Sequence, residues 1–285
     1  MVIDDKNTRK ITNIPVLKAW KRVFELIECF GKHPFDREEL KTSVLALFSD
    51  GKEEKSVFRG MAIPTMRRLG LIVGFGEDIR LSPNGRLIFE AQKLRDILAH
   101  RALASIAFEI DRDEVGFIEL IGKNKAIDKN GFVSICFSNL RTQNIPAAKE
   151  RIRNWLGFLN MCGLLIVKEF ISLNKEGVKI ARDDLNPRPK KNSFKSVLLK
   201  AYDSLFRKSA GIKTQSLLSL REETSMIFLN QNRMILTENQ FDFLLSEIPK
   251  STGRYQMSFG RSMGAEEKLF NYNGKYYETI SISFT

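Results

Sequence analysis

Residue types that carry hydrolytic or metal-dependent chemistry are few in this sequence, and they come in groups. Glu266-Glu267-Lys268, downstream of Asp242, has the composition of a magnesium nuclease centre, in which carboxylates hold the metal and a lysine steadies the attacking water. Glu53-Glu54-Lys55 has the same composition. Such triplets are frequent in charged chains, so solvated charge is the competing reading of both. Ser258, Arg261 and Ser262, in the loop expected at 260–264, are types that cradle phosphate, against a plain surface loop. The sequence contains no Gly-x-x-x-x-Gly-Lys-Ser/Thr loop, no Gly-x-Ser-x-Gly elbow and no His-Glu-x-x-His. His33 and His100 are too few for a histidine metal centre. Cys29, Cys136 and Cys162 lack Cys-x-x-Cys spacing and read as buried thiols of a reducing compartment. The chain is therefore expected to lack catalysis and cofactors of its own, with magnesium needed only under the nuclease alternative.

Charge points elsewhere. The 285 residues hold 46 Lys plus Arg against 34 Asp plus Glu, a net +12 that favours a polyanionic partner, because basic surface releases counterions from phosphate on binding. One set of candidate contacts is Arg141, Lys149, Arg153 and Asn154, with Lys168 nearby. A second is Lys55, Arg59, Arg67 and Arg68.

The elements that must position these cations form a pattern that occurs twice. In 147–180, Ile152, Trp155, Leu156 and Leu159 fall at helical spacing with the basic residues on other faces; Gly163 then turns the chain into a Leu-Leu-Ile-Val strand, a short return strand and a new helix. Residues 65–88 repeat this, again with a basic helix end, a glycine, a Leu-Ile-Val strand, a hairpin and a helix entry. Gly163 follows Gly70 by 93 positions and Gly177 follows Gly85 by 92, the difference of one falling in the hairpin. Pro64 is expected to open a second piece of the first basic helix, 53–69. The first hairpin tip, Phe75-Gly76-Glu77-Asp78, is acidic, which disfavours phosphate and suits a protein contact.

IRNWLGFLNMCGLLIV and MRRLGLIV, each with its hairpin, resemble tandem winged helix-turn-helix proteins and, more loosely, the DNA-recognition portions of type IIS restriction endonucleases. The resemblance covers about 16–183 and implies a mainly α fold with small β-hairpin wings. It also implies double-stranded DNA as partner, with cleavage or ATP-driven action supplied by a nuclease or ATPase subunit of a restriction or antiphage defence system. The alternatives are a type II restriction-like nuclease with its centre at Glu266, Glu267 and Lys268, a winged-helix protein-interaction scaffold, and a plasmid replication initiator.

The remaining chain divides by composition. Residues 1–15 read as an arm, 16–94 and 95–182 as the two winged units, 183–192 as a proline-containing linker, and 193–285 as a C-terminal α+β domain. Helices are expected at 16–30, ended by Gly31, and from an Asp36 cap with Glu39 three residues on. Further helices are expected at 84–109, 113–121, 130–140, 193–208 and 214–222. Strands at 226–229 and 233–236 would make a possible diverged third winged unit, and Asn273-Gly274 signals a type I′ hairpin. The start lacks an apolar core and no 18-residue apolar run occurs, so a cytoplasmic, nucleoid-associated bacterial or archaeal protein is expected, neither secreted nor membrane-spanning.

Overall fold

The computed structural model describes residues 14–33, 36–48, 55–124, 127–139, 145–185, 189–261 and 268–284. It is mostly helical, with small antiparallel sheets. In chain order the helices and strands are α1 (Val23–Lys32), α2 (Arg37–Ala46), α3 (Ile63–Arg68), β1 (Ile72–Val73), β2 (Arg80–Leu81), α4 (Pro83–Leu94) and α5 (Asp96–Ile110). There follow α6 (Phe117–Lys123), β3 (Ile127–Asp128), α7 (Lys129–Asn139), α8 (Ile145–Met161), β4 (Leu165–Val167), β5 (Phe170–Leu173) and α9 (Lys175–Leu185). The last part holds α10 (Lys191–Lys208), β6 (Thr214–Ser216), α11 (Leu217–Asn232), α12 (Glu238–Glu247), β7 (Ser251–Thr252), β8 (Tyr255–Arg261), β9 (Phe270–Tyr272) and β10 (Lys275–Phe284). Two compact units result, one from residues up to 69 together with 103–182, the other from 70–102 together with 183 onward.

In the first unit, α1 buries Val23, Leu26, Ile27 and Phe30 at helical spacing. Its start is a 3-10 turn at Trp20–Arg22, and it runs through Gly31 to Lys32 rather than stopping at the glycine. Asp36 caps α2 by accepting from the Glu39 amide at 2.9 Å. The basic segment ahead of Gly70 runs as a π-helical stretch at Lys55–Ala62 that passes directly into α3, with Pro64 at the change of helix type. The sheet of this unit has the order β3-β5-β4, so the strand between α6 and α7 pairs with the far arm of the hairpin that follows α8.

In the second unit, Phe194, Leu198 and Tyr202 of α10 pack with Leu220 and Phe228 of α11, Phe241 and Leu245 of α12, and Phe270 and Ile280 of the sheet. The sheet order is β6-β10-β8-β7, with β9 also on β10. Asn273 and Gly274 both have positive φ, 52° and 73°, as a type I′ turn requires, and Lys275 pairs with Tyr272.

Several expectations from the sequence are corrected. Residues 226–229 and 233–236 are not a hairpin: α11 runs unbroken from Leu217 to Asn232 and ends at a left-handed Arg233. Leu217, Leu220, Thr224 and Phe228 are buried at helical spacing, so the short Met-Ile-Phe-Leu run is the end of an amphipathic helix, and the basis for a third winged unit is gone. Residues 214–216, expected to open a helix, are strand β6. The helix expected at 84–109 is two, separated by an extended Arg95. In place of a helix at 113–121 there is a π-helical turn, Asp111–Val115, a left-handed Gly116 and then α6. Ser258 and Arg261 lie in strand β8, paired across to β10, instead of in a loop. Cys29 and Cys136 are buried, but Cys162 is only partly so. Among the described residues no helix is long and apolar enough to cross a membrane.

Candidate nucleic-acid interface

The two glycine turns noted in the sequence close the same way. Gly70 and Gly163 are both left-handed, φ 64° and 73°. After the first, the Ser82 amide donates to the Leu71 carbonyl at 2.9 Å, its hydroxyl donates to the Gly70 carbonyl at 2.6 Å, and the same oxygen accepts from the Gly85 amide at 3.0 Å. After the second, the Asn174 amide donates to the Leu164 carbonyl at 3.0 Å, its Nδ2 donates to the Gly163 carbonyl at 2.8 Å, and its Oδ1 accepts from the Gly177 amide at 3.3 Å. In both, one polar cap ties the turn before a hairpin to the helix after it. A Cβ at Gly177 would stand 1.9 Å from the Gly163 carbonyl oxygen, and one at Gly85 2.1 Å from that of Leu71, so neither helix entry admits a side chain.

What these joints hold differs between the copies. Helix α8 buries Ile152, Trp155, Phe158 and Leu159. The Trp155 indole donates to Asp111 Oδ1 at 2.9 Å. Asp111 is 1% exposed and also accepts the Phe117 and Ile118 amides at the start of α6, at 3.1 and 2.8 Å, so its charge is held by three N–H donors. With its apolar face anchored in this way, α8 turns Lys149 and Arg153 outward at i and i+4, with Gly157 following at i+8. Gly157 lets Trp20 lie against the helix, since a Cβ there would come within 2.5 Å of the indole.

Lys149 and Arg153 are exposed and line a cleft of about 670 Å³ between α7, α8 and β4. From α7 come Lys129, Val133 and Phe137, again at i, i+4 and i+8, with Asn130 and Ser134 beside them. Leu156 and Val167 complete an apolar floor. Three cations and no carboxylate are found among the described lining residues. Lys168 is exposed at the tip of the β4–β5 hairpin, which Asn160 Oδ1 ties to α8 by accepting the Val167 amide at 3.3 Å. None of Lys129, Lys149, Arg153 and Lys168 has an ion-pair partner among the described residues. Asn154 is half-buried and turned about 100° around α8 from Arg153, away from this group. Arg141 lies outside the described residues.

In the first copy, Arg59 and Arg68 are exposed and Arg67 is half-buried; Lys55 opens the π-helical stretch, and its side chain is outside the described residues. The tip between β1 and β2 is a 3-10 turn, Gly76–Asp78, that exposes Glu77 and Asp78, beside a Phe75 that is 64% exposed.

The residues read as a nuclease triplet are placed in part. Glu266 and Glu267, like Glu53 and Glu54, lie outside the described residues. The Lys268 ammonium sits 2.5 Å from both Glu238 Oε1 and the Gly70 carbonyl. Asp242 is held by Arg221 through two bonds of 2.7 Å, and Arg221 also donates to the Lys268 carbonyl at 2.6 Å. Burial pushes the Asp242 carboxyl above its ordinary value, against the downward pull of Arg221. Among the described residues no group of three or more His, Cys, Asp or Glu could hold a metal ion.

The cleft residues of α7 are absent from the candidates drawn from sequence. Their signal is the matched spacing of Lys129, Val133 and Phe137 with Lys149, Arg153 and Gly157, which becomes visible only once α7 and α8 are known to be neighbours. No family model matches the chain, and no curated protein or solved structure matches it either.

Proposed function

We propose that the chain is a double-stranded DNA-binding recognition protein that uses 117–173 as a winged helix-turn-helix, with α8 directed at the major groove. The order helix, strand, helix, helix, strand, strand, in which the first strand pairs with the last, supports that assignment. The observation that carries the function is a cluster of cations without an ion-pair partner among the described residues: Lys149 and Arg153 one turn apart on the exposed flank of α8, Lys129 across the cleft and Lys168 on the hairpin. Cations left without carboxylate partners are available to phosphate oxygens or to guanine edges. The pairing of Asp242 with Arg221 and of Lys268 with Glu238 argues against their acting as a metal centre, so cleavage or ATP hydrolysis in a defence assembly would fall to a partner subunit. The acidic tip with its exposed Phe75 favours a protein contact for the first copy.

Fluorescence anisotropy of a labelled random-sequence duplex across a salt series tests the reading. Four phosphate contacts give a slope of log K against log salt of about −3.6, and Ala at Lys129, Lys149, Arg153 and Lys168 together should remove most of it. Absence of duplex binding at low salt, or an unchanged slope in the quadruple variant, overturns it.

A further inference from the structure

We propose that the cleft between α7 and α8 holds one unstacked nucleotide, its base on Phe137 and its phosphate among Lys129, Lys149 and Arg153. This rests in part on reading α8 as a nucleic-acid surface. A duplex needs cations but makes no use of an aromatic floor, because its bases are already stacked on one another. The cleft offers both. Phe137 is half-exposed, lines the cleft and makes no ring contact among the described residues, whereas Phe132 of the same helix is buried edge-on against Phe117, 5.0 Å between centroids. Val133, Leu156 and Val167 extend the apolar surface around it, and Asn130 and Ser134 are exposed at the lip with polar atoms of the kind that meet a base edge. A volume of about 670 Å³ falls in the range of small-molecule sites, roughly 300–1,000 Å³. An aromatic floor beneath a group of cations is how single-stranded nucleic acid is held. The same chemistry reaches the cleft either as a free mononucleotide or as an unpaired nucleotide of a DNA strand.

Three probes separate these cases: deoxythymidine monophosphate, a blunt duplex, and the same duplex with a one-nucleotide overhang. Titration with the mononucleotide is followed by NMR or calorimetry, with deoxythymidine and inorganic phosphate as controls that each lack one half of the ligand. The mononucleotide should bind more tightly than either control. The overhang duplex should bind roughly tenfold more tightly than the blunt one. Phe137→Ala should erase that preference, and Phe137→Trp should keep it. Ser134→Glu, an exposed change that leaves the floor intact, should weaken the mononucleotide by charge repulsion. A mononucleotide that binds while the overhang gives no advantage identifies the free molecule as the source. The proposal is overturned if the mononucleotide binds no better than phosphate and the overhang gives no preference, or if Phe137→Ala changes neither. If blunt duplex fails to bind but the mononucleotide does, the duplex reading falls and this one stands.

Discussion

Replacing Gly177 with Ala is the sharpest probe of the repeated joint. The added Cβ would lie 1.9 Å from the Gly163 carbonyl oxygen and 2.9 Å from its carbon, whereas carbon and oxygen normally approach no closer than roughly 3.2 Å. The obstacle is backbone, so relief requires the start of α9 to move by more than about 1 Å. That movement breaks the three bonds through Asn174, to Leu164, Gly163 and Gly177, each worth about 1 kcal/mol net. Ala regains about 1 kcal/mol over Gly as a helix former. The net expectation is a loss of about 2–3 kcal/mol, and Gly85→Ala, facing Leu71 at 2.1 Å, should match it. Gly131→Ala is the control: its Cβ would meet the side chains of Ile127 and Asp128 at 3.3 and 3.4 Å, contacts that a small shift relieves, so it should stay within about 1 kcal/mol of the parent. Urea unfolding, read as a change in midpoint at constant m-value, measures all three. Gly177→Ala and Gly85→Ala no more destabilising than Gly131→Ala would refute the reasoning.

Two further outcomes follow from groups that are wholly or partly buried. Lys268→Met leaves the Glu238 carboxylate, 9% exposed, without its cation, and should cost about 2–3 kcal/mol, less than a fully buried pair because Lys268 itself is 22% exposed. If that variant instead melts like the parent and abolishes magnesium-dependent plasmid cleavage, the lysine is catalytic. Burial pushes the thiols of Cys136 and Cys162 up, with the Asp111 charge adding at Cys136, so the folded chain keeps protons that the unfolded chain loses above about pH 8.5. Stability from these thiols is therefore complete below that pH and lost above it, by up to about 1.4 kcal/mol per pH unit for each. Urea midpoints from about pH 8 to pH 10 should fall less steeply in Cys136→Ala than in the parent; an equal slope counts against the burial argument.

Features of the molecule whose cause is local were legible in the residues. Asp36 caps its helix, Gly163 takes the left-handed turn and Asn273-Gly274 makes the hairpin, because each depends on a few neighbouring residues and their own backbone preferences. Residues 226–236 are ambiguous in sequence because four apolar residues suit strand and helix alike, and burial of a stripe starting at Leu217 decides between them. Lys268 meets Gly70 across 198 positions, and Asn84 meets Glu238 across 154, so nothing local announces that those charges are already committed to partners. The cation pair on α8 was readable from helical spacing. The α7 wall of the cleft was not, since a helix pattern says which residues share a face and leaves open what that face meets.

The Ser82 and Asn174 joints let one local arrangement carry two different hairpin tips. Each is tied within about fifteen residues by main chain and a single short side chain, either hydroxyl or amide, the first also receiving the Lys268 ammonium at its Gly70 carbonyl, and neither draws on the tip it carries. Mutation at a tip then leaves its hinge untouched. One hairpin can be acidic at Glu77 and Asp78 while the other carries Lys168, and neither tip bears on the joint that holds it.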